Sequence, residues 1–227
     1  ALSVLFRASV RSSLERRAEA NLPACAATQT ALARPSGWEY DELVGDRYHN
    51  IYDDGAVLFW TSSIVDWLPV LRSEKVALLF VEELLECREA FRTRVYGWCI
   101  MPEHIHLITQ SARGHDAQQF CAQLLSRFSR RFSLMCAEAA CAGNDTAAGW
   151  LNVFRGSARG RKQVRVWKER GRGIPLEGME HLLAKLAYVH NNPVRRGLCE
   201  TPEQWPFSSA RWYEGLGGLV ELDQFDL

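Results

Sequence analysis

The sequence predicts an α+β fold: a ferredoxin-like, split βαβ antiparallel sheet with helices packed on one face. Three observations predict it. Apolar periodicity alternates between strand and helix in the order β-α-β-β-α-β-α. The second and third strand segments are separated only by Met101-Pro102-Glu103, the length of a hairpin turn. The 227 residues are 47% hydrophobic and 24% charged, enough to bury an ordinary core without covalent staples.

The elements follow in order. Residues 57–64 (VLFWTSSI) are rich in β-branched and aromatic side chains and read as a buried strand. Pro69 breaks that pattern. Residues 74–91 place Val76, Leu79, Phe80 and Leu84 on one helical stripe. Val95–Ile100 is the second strand and His104–Thr109 the third, joined through a proline that cannot continue a ladder. Residues 116–138 form a long helix with Phe120, Leu124, Phe128, Phe132 and Met135 along one side. Residues 140–160 contain Gly, Ala and Asn and read as a loop. Val164–Trp167 reads as a fourth strand, followed by a glycine-punctuated loop, GRGIP. Residues 177–191 form the last helix, ended by Pro193.

The ends and the composition bound the rest. Residues 1–38 hold five Arg and two Glu with little periodicity. They read as a disordered N-terminal extension, with an organellar transit peptide as the other reading. Residues 39–227 read as a single catalytic domain. No apolar run approaches the roughly 18 residues that cross a bilayer. The seven cysteines are odd in number, contain no CxxC pair, and fit buried thiols in a reducing compartment. A cytoplasmic location is therefore expected.

Charge is balanced overall, 27 Lys+Arg against 27 Asp+Glu, but segregated along the chain. Residues 40–92 hold eleven acids and five bases; residues 155–172 hold eight bases and one acid. Such a run is either a solvated loop or a phosphate-binding surface.

Two segments could carry chemistry. His104 and His106 stand two apart in an apolar strand, so both imidazoles face the same side while Ile105 faces the opposite layer. Side by side they are a potential pair of metal ligands. On spacing alone, such a pair is more often two tolerated histidines. Tyr188 and Asn192 are four apart near the end of the last helix and share a face. On spacing alone, a tyrosine in that apolar helix is more often a core aromatic.

Taken together, the segments point further. GWCIMPEHIHLI at 97–108 resembles the HUH-motif strand of the single-tyrosine HUH transposases. LAYVHNNPVRRGL at 186–198 resembles the tyrosine helix of one branch, the REP-associated tyrosine transposases. PEQWPFSSARWYEG at 202–215 resembles that branch's C-terminal signature, and VWKERG at 166–171 lies where the family often has a tryptophan-containing segment. The resemblance runs from about residue 48 to residue 215, with the motifs in family order.

The resemblance implies a ferredoxin-like fold and a metal-dependent transposase that nicks and rejoins single-stranded DNA beside a hairpin. It implies His104, His106 and Asn192 as ligands of Mg2+ or Mn2+, and Tyr188 as a nucleophile forming a 5′-phosphotyrosine bond. Such a bond conserves the phosphodiester energy, so a second 3′-hydroxyl can reverse the step. The partner implied is single-stranded DNA carrying REP-like hairpins, bound by a monomer or homodimer associated with the bacterial nucleoid. Arg127, Arg130, Arg131, Arg161, Lys162, Arg165, Lys168, Arg195 and Arg196 are the candidates for tracking its backbone. Trp167, Trp205 and Trp212 are candidates for stacking on unpaired bases. His190, on a different helix face from Tyr188, reads as structural. The alternative is a domesticated hairpin-binding protein with little activity. An RNA-binding module lacks the required aromatic pattern on the central strands. A zinc hydrolase lacks a third His, Cys or acidic ligand at suitable spacing.

Overall fold

The computed structural model describes Ser12, Arg16 and residues 55–158, 163–168 and 172–225. Apart from Ser12 and Arg16, the proposed extension at 1–38 lies outside the described residues, as do the start of the domain, Arg161 and Lys162.

Strand β1 (Val57–Ser63) sits inside a four-stranded sheet with β2 (Thr93–Met101), β3 (His104–Ser111) and β4 (Arg172–Pro175). The order across the sheet is β2-β3-β1-β4, and every pairing is antiparallel. That is the arrangement a split βαβ connectivity gives. The β2–β3 turn is the tight one read at Met101-Pro102-Glu103, with Met101 opposite His104.

Pleating sorts the strand side chains into two layers. Leu58, Trp60, Val95, Trp98, Ile100, Ile105 and Leu107 face the larger layer, which is covered by three helices. These are α1 (Glu74–Ala90), α2 (Ala117–Cys141) and α3 (Asp145–Gly156). Phe59, Tyr96, Cys99, Met101 and Ile108 face the smaller layer, covered by α4 (Gly178–Arg195) through Leu182, Leu186 and Val189. The expectation of helices on one face thus holds for α1 and α2, which connect the strands; α4 lies across the opposite face. Gly97 of β2 permits the close approach of α4, since a Cβ there would meet Leu186 Cδ2 at 2.5 Å.

Three local expectations are corrected. The segment at 140–160 is largely the helix α3, not a loop. Asn144 caps it by accepting the Ala147 amide at 3.0 Å, and Ala147, Leu151 and Phe154 bury one face. The fourth strand is Arg172–Pro175, not Val164–Trp167. Trp167 makes only an isolated bridge to Ile64. A proline is tolerated in β4 because it is an edge strand. Finally, Pro193 does not end α4. It occupies the last turn, and the stop comes at Gly197, whose φ is +64°. There Leu198 N–H donates to Pro193 O and Gly197 N–H to Val194 O, each at 2.9 Å. This pair of bonds is a Schellman motif, which needs a residue that accepts left-handed backbone.

The outer edge of β2 is also covered. Residues 207–209 and 223 run along it, with Ile100 N–H donating to Phe207 O (2.8 Å), Ser209 N–H to Trp98 O (2.9 Å) and Asp223 N–H to Val95 O (3.1 Å). Among the described residues no helix is long and apolar enough to cross a membrane.

Candidate functional site

His104 and His106 face the smaller layer, each only 1% exposed. Their Nε2 atoms lie 3.1 Å apart. His104 Nδ1 lies 3.0 Å from Glu103 Oε1, and the same oxygen accepts a 2.7 Å hydrogen bond from Arg196 Nη1. Glu103 is buried, which alone would raise its pKa. The hydrogen bond and charge of His104, and those of Arg196, outweigh burial and hold the carboxyl below its ordinary value. His106 is pushed well below the usual imidazole range by burial, then by the charges of His104 and Lys185. It is a neutral ring, as a metal-binding histidine must be.

These contacts constrain the tautomers. Glu103 accepts at His104 Nδ1, so that nitrogen carries a proton, and in the neutral ring that a metal would need Nε2 is the lone pair. With His104 neutral, the proton between the two Nε2 atoms belongs to His106. Its Nδ1, buried with no hydrogen-bond partner, is then a bare acceptor.

Helix α4 brings the second half of the site. The Tyr188 ring lies 5.7 Å from the His106 ring and 6.3 Å from Phe59, edge-on to both. Phe59 stacks on His106 at 5.4 Å. Asn192 is 4% exposed, one turn beyond Tyr188. Its Nδ2 donates to Tyr188 O at 2.8 Å, so the carboxamide oxygen is the end turned away from its own helix.

Two cations flank the tyrosine. Lys185 Nζ lies 5.1 Å from the Tyr188 ring centre and 4.7 Å from that of Phe59. Burial lowers its pKa. Arg195 lies over the Tyr188 ring at 5.7 Å. Among the described residues no carboxylate forms a salt bridge with Lys185. The sequence reading missed Lys185 and Glu103. The available signals were a lysine three positions before Tyr188, hence on its face of the helix, and an acid adjacent to His104.

The remaining basic candidates are scattered. Arg127 and Arg131 lie in the opposite layer, engaged by acids of α1. Arg127 Nε meets Glu83 at 2.6 Å and also bonds Glu86; Arg131 meets Glu82 and Glu83 at 2.7 Å. The structure therefore brings neither to the histidines; they clamp α1 to α2. Arg130 is exposed on α2, and Lys168 is exposed in the segment before β4. Arg165 is half-buried and donates to Trp167 O at 3.2 Å. Among the described candidates, only Arg195 and Arg196 contact the site residues.

The aromatic candidates divide similarly. Trp167 is 6% exposed, its Nε1 donating to Leu125 O at 3.1 Å, so it belongs to the core. Trp205 is half-buried, its Nε1 donating to Ile100 O at 2.9 Å. Trp212 is exposed at 37%. His190 contacts Ser209 Oγ at 2.8 Å and ties α4 to the C-terminal segment, and burial lowers its pKa to about 4. Trp67, which the sequence reading passed over, sets its ring edge 5.9 Å from His104.

With the His106 proton moved from Nε2 to its unpartnered Nδ1, the two Nε2 atoms fit a divalent ion. Two neighbouring positions on an octahedral ion with bonds of about 2.1 Å lie about 3.0 Å apart, close to the 3.1 Å between the Nε2 atoms. Glu103 on the far nitrogen of His104 is the kind of outer contact that orients a metal-binding imidazole. Among the described residues no group of three His, Cys, Asp or Glu could hold a metal.

No family model matches the chain. The chain is similar to a REP-associated tyrosine transposase of Haemophilus influenzae, 26% identical over 112 residues. That similarity covers 49% of this chain and 55% of the relative, so the chain spans about half the length of the curated relative it matches. The fold is similar to that of a REP-associated tyrosine transposase solved bound to a REP hairpin, with a TM-score of 0.55 and 17% identity. That likeness covers 80% of this chain and 96% of the other.

Proposed function

We propose that this chain is a transposase of the REP-associated tyrosine kind, cutting and rejoining single-stranded DNA beside a hairpin. The observation that carries the reading is the convergence of two imidazole Nε2 atoms at 3.1 Å with a tyrosine ring 5.7 Å from one of them. They arrive from a strand and a helix more than 80 residues apart. The resemblance of both segments, and the similar relative and solved structure, support the same reading.

In this reading Tyr188 is the nucleophile. Its phenol oxygen bonds to phosphorus, the bond from phosphorus to the 3′ oxygen breaks, the phenol gives up its proton and the 3′ oxygen gains one. The product is a 5′-phosphotyrosine and a free 3′-hydroxyl, and attack by another 3′-hydroxyl reverses the same bonds. His104, His106 and Asn192 would hold a Mg2+ or Mn2+ ion. Such an ion polarises a scissile phosphate and offsets the charge developing on it. Lys185 and Arg195 add fixed positive charge beside the tyrosine, where a phosphate would sit. Phe59 holds the His106 ring against rotation by stacking on it. Arg130, Arg161, Lys162, Arg165 and Lys168 remain candidates for contacting the DNA backbone.

The test is covalent capture. The protein is incubated with labelled single-stranded DNA carrying a hairpin from repeats flanking its gene, with Mn2+ or Mg2+, and run on a denaturing gel. A shifted band is expected, lost in Tyr188→Phe and on chelation. Hairpin retention on a native gel without any adduct would replace this reading with that of a binding protein.

A further inference from the structure

Glu103 and Arg196 have no part in the chemistry above, yet they join its two halves. Glu103 sits in the β2–β3 turn and is 4% exposed. One of its oxygens, Oε1, is shared by His104 Nδ1 at 3.0 Å and Arg196 Nη1 at 2.7 Å. Arg196 caps the C-terminus of α4, one turn beyond Asn192, and its N–H donates to Asn192 O at 3.1 Å. A single buried oxygen thus ties the histidine strand to the end of the tyrosine helix.

We infer that Glu103 and Arg196 are positioning residues: Glu103 locks His104 with its proton on Nδ1 and its Nε2 lone pair facing His106, and Arg196 holds the end of α4 to that carboxylate. The argument is one of hydrogen-bond inventory. One carboxylate oxygen already accepts from Arg196, and its contact with Nδ1 leaves the neutral His104 ring one favoured tautomer, Nδ1–H. Without Glu103, His104 Nδ1 would join His106 Nδ1 as a second buried, unpartnered ring nitrogen. The ring would then gain by flipping or exchanging tautomers, and Nε2 would no longer be a reliable lone pair. A carboxylate behind a ligating imidazole ordinarily changes metal affinity 10- to 100-fold. Arg196 donates to the same oxygen at 2.7 Å, and its own backbone belongs to the helix cap. Movement of α4 along its axis would therefore stretch a charged hydrogen bond, which is among the stronger kinds. The tautomer assignment stands by itself; its consequence for metal and DNA rests on the transposase reading.

The experiment uses the full chain and three readouts. Imidazole tautomers are read from long-range 1H–15N spectra of 15N-histidine-labelled protein without metal. Mn2+ affinity is read by EPR titration with the ion alone. Adduct yield is read on the hairpin DNA. In the wild type, His104 is expected as the Nδ1–H form and His106 as the Nε2–H form. Glu103→Ala is expected to mix the His104 tautomers and weaken Mn2+ binding at least tenfold. Glu103→Gln keeps an oxygen for both contacts and is expected to restore the tautomer, also serving if the alanine variant fails to fold. Arg196→Ala is expected to lower adduct yield in the wild-type background and to have no further effect in Glu103→Ala. An unchanged His104 tautomer, with Mn2+ affinity within twofold, in Glu103→Ala overturns the inference. Additive losses in the double variant overturn the role of Arg196. Wild-type protein with no Mn2+ binding and no adduct, but with the tautomer lost in Glu103→Ala, sinks the transposase reading and leaves the tether standing.

Discussion

Two imidazoles, a phenol and an amide make up the proposed site, and the chain gives each a distinct neighbour that fixes its state. Glu103 fixes one imidazole, and burial with Phe59 fixes the other. Lys185 stands beside the phenol as a half-buried cation set over the Phe59 and Tyr188 rings. Lys185→Gln is expected to slow adduct formation about tenfold, or about 1.4 kcal/mol in the barrier, with hairpin affinity within about twofold. Lys185→Arg should retain most of the rate. A fall in hairpin affinity that matches the fall in rate would make Lys185 a general backbone contact instead. At this scale spacing places the two histidines on one face, and Tyr188 and Asn192 on another, but it was the resemblance of both segments together that singled them out. Lys185 and Glu103 were not legible. A charged residue on a helix or in a turn carries no periodic signature of what it faces, and Glu103 matters only because Arg196, 93 residues later, reaches the same oxygen.

Elements explain why a basic stretch is not automatically a nucleic-acid surface. Arg127 and Arg131 sit on α2 at helical spacing, and the acids they meet sit on α1 at the same spacing. The acid-rich and base-rich stretches of the sequence thus partly neutralise one another across a helix pair. Arg127→Ala is expected to lower unfolding free energy by about 1–3 kcal/mol, the usual cost of removing a partner from a buried polar group, with unchanged hairpin affinity. Burial opposes ionisation of Glu83, but hydrogen bonds and charge from Arg131 and Arg127 prevail, and its pKa is lowered. A carboxyl with a depressed folded pKa contributes stability above its unfolded value, about 4.3, and loses it as pH falls through the lower folded value. In urea titrations, wild type should therefore exceed Glu83→Gln most near neutral pH, the gap closing below about pH 4. A gap independent of pH would mean that the carboxylate's charge plays no part. Element boundaries were legible for long, strongly periodic segments. They failed where the signal is short or mixed. Helix α3 hides its Leu151 and Phe154 stripe among Gly149 and Asn152. Strand β4 has four residues, one of them a glycine and one a proline. Pro193 misled because a proline in the last turn forfeits only one bond, the one to Val189 O, which the Schellman motif beyond it outweighs.

At the scale of the whole molecule the two layers are unequal. The larger layer packs α1 and α2 on the sheet and α3 against α2, with aromatic contacts such as Phe80–Phe128 and Phe128–Trp167. The smaller layer rests on α4 alone, with Leu182, Leu186 and Val189 as its buried residues against the sheet. Opening free energies scale with the apolar area that opening exposes. Amide exchange in α4 is therefore expected to proceed at a lower opening free energy than in α1 and α2. Equal protection across all three helices would show that the layers open only together. Division of the chain into two layers was legible from strand alternation. Which layer α4 joins was not, because its amphipathic stripe fits either face; the close approach of Leu186 to Gly97 is a tertiary fact with no periodic signature.

The β2–β3 hairpin turns within two residues, Pro102 and Glu103, and carries both histidines. The tyrosine lies 82 residues beyond His106, after two helices and a strand that pairs back with β1, Leu58 meeting Pro175. Local hairpins close in microseconds, whereas contacts across long stretches of chain form slowly. During synthesis the histidine pair can therefore be assembled while Tyr188 has yet to leave the ribosome. A chain that ends between the hairpin and residue 188 would carry the paired imidazoles without the tyrosine, so the two halves of the proposed site meet only late in folding.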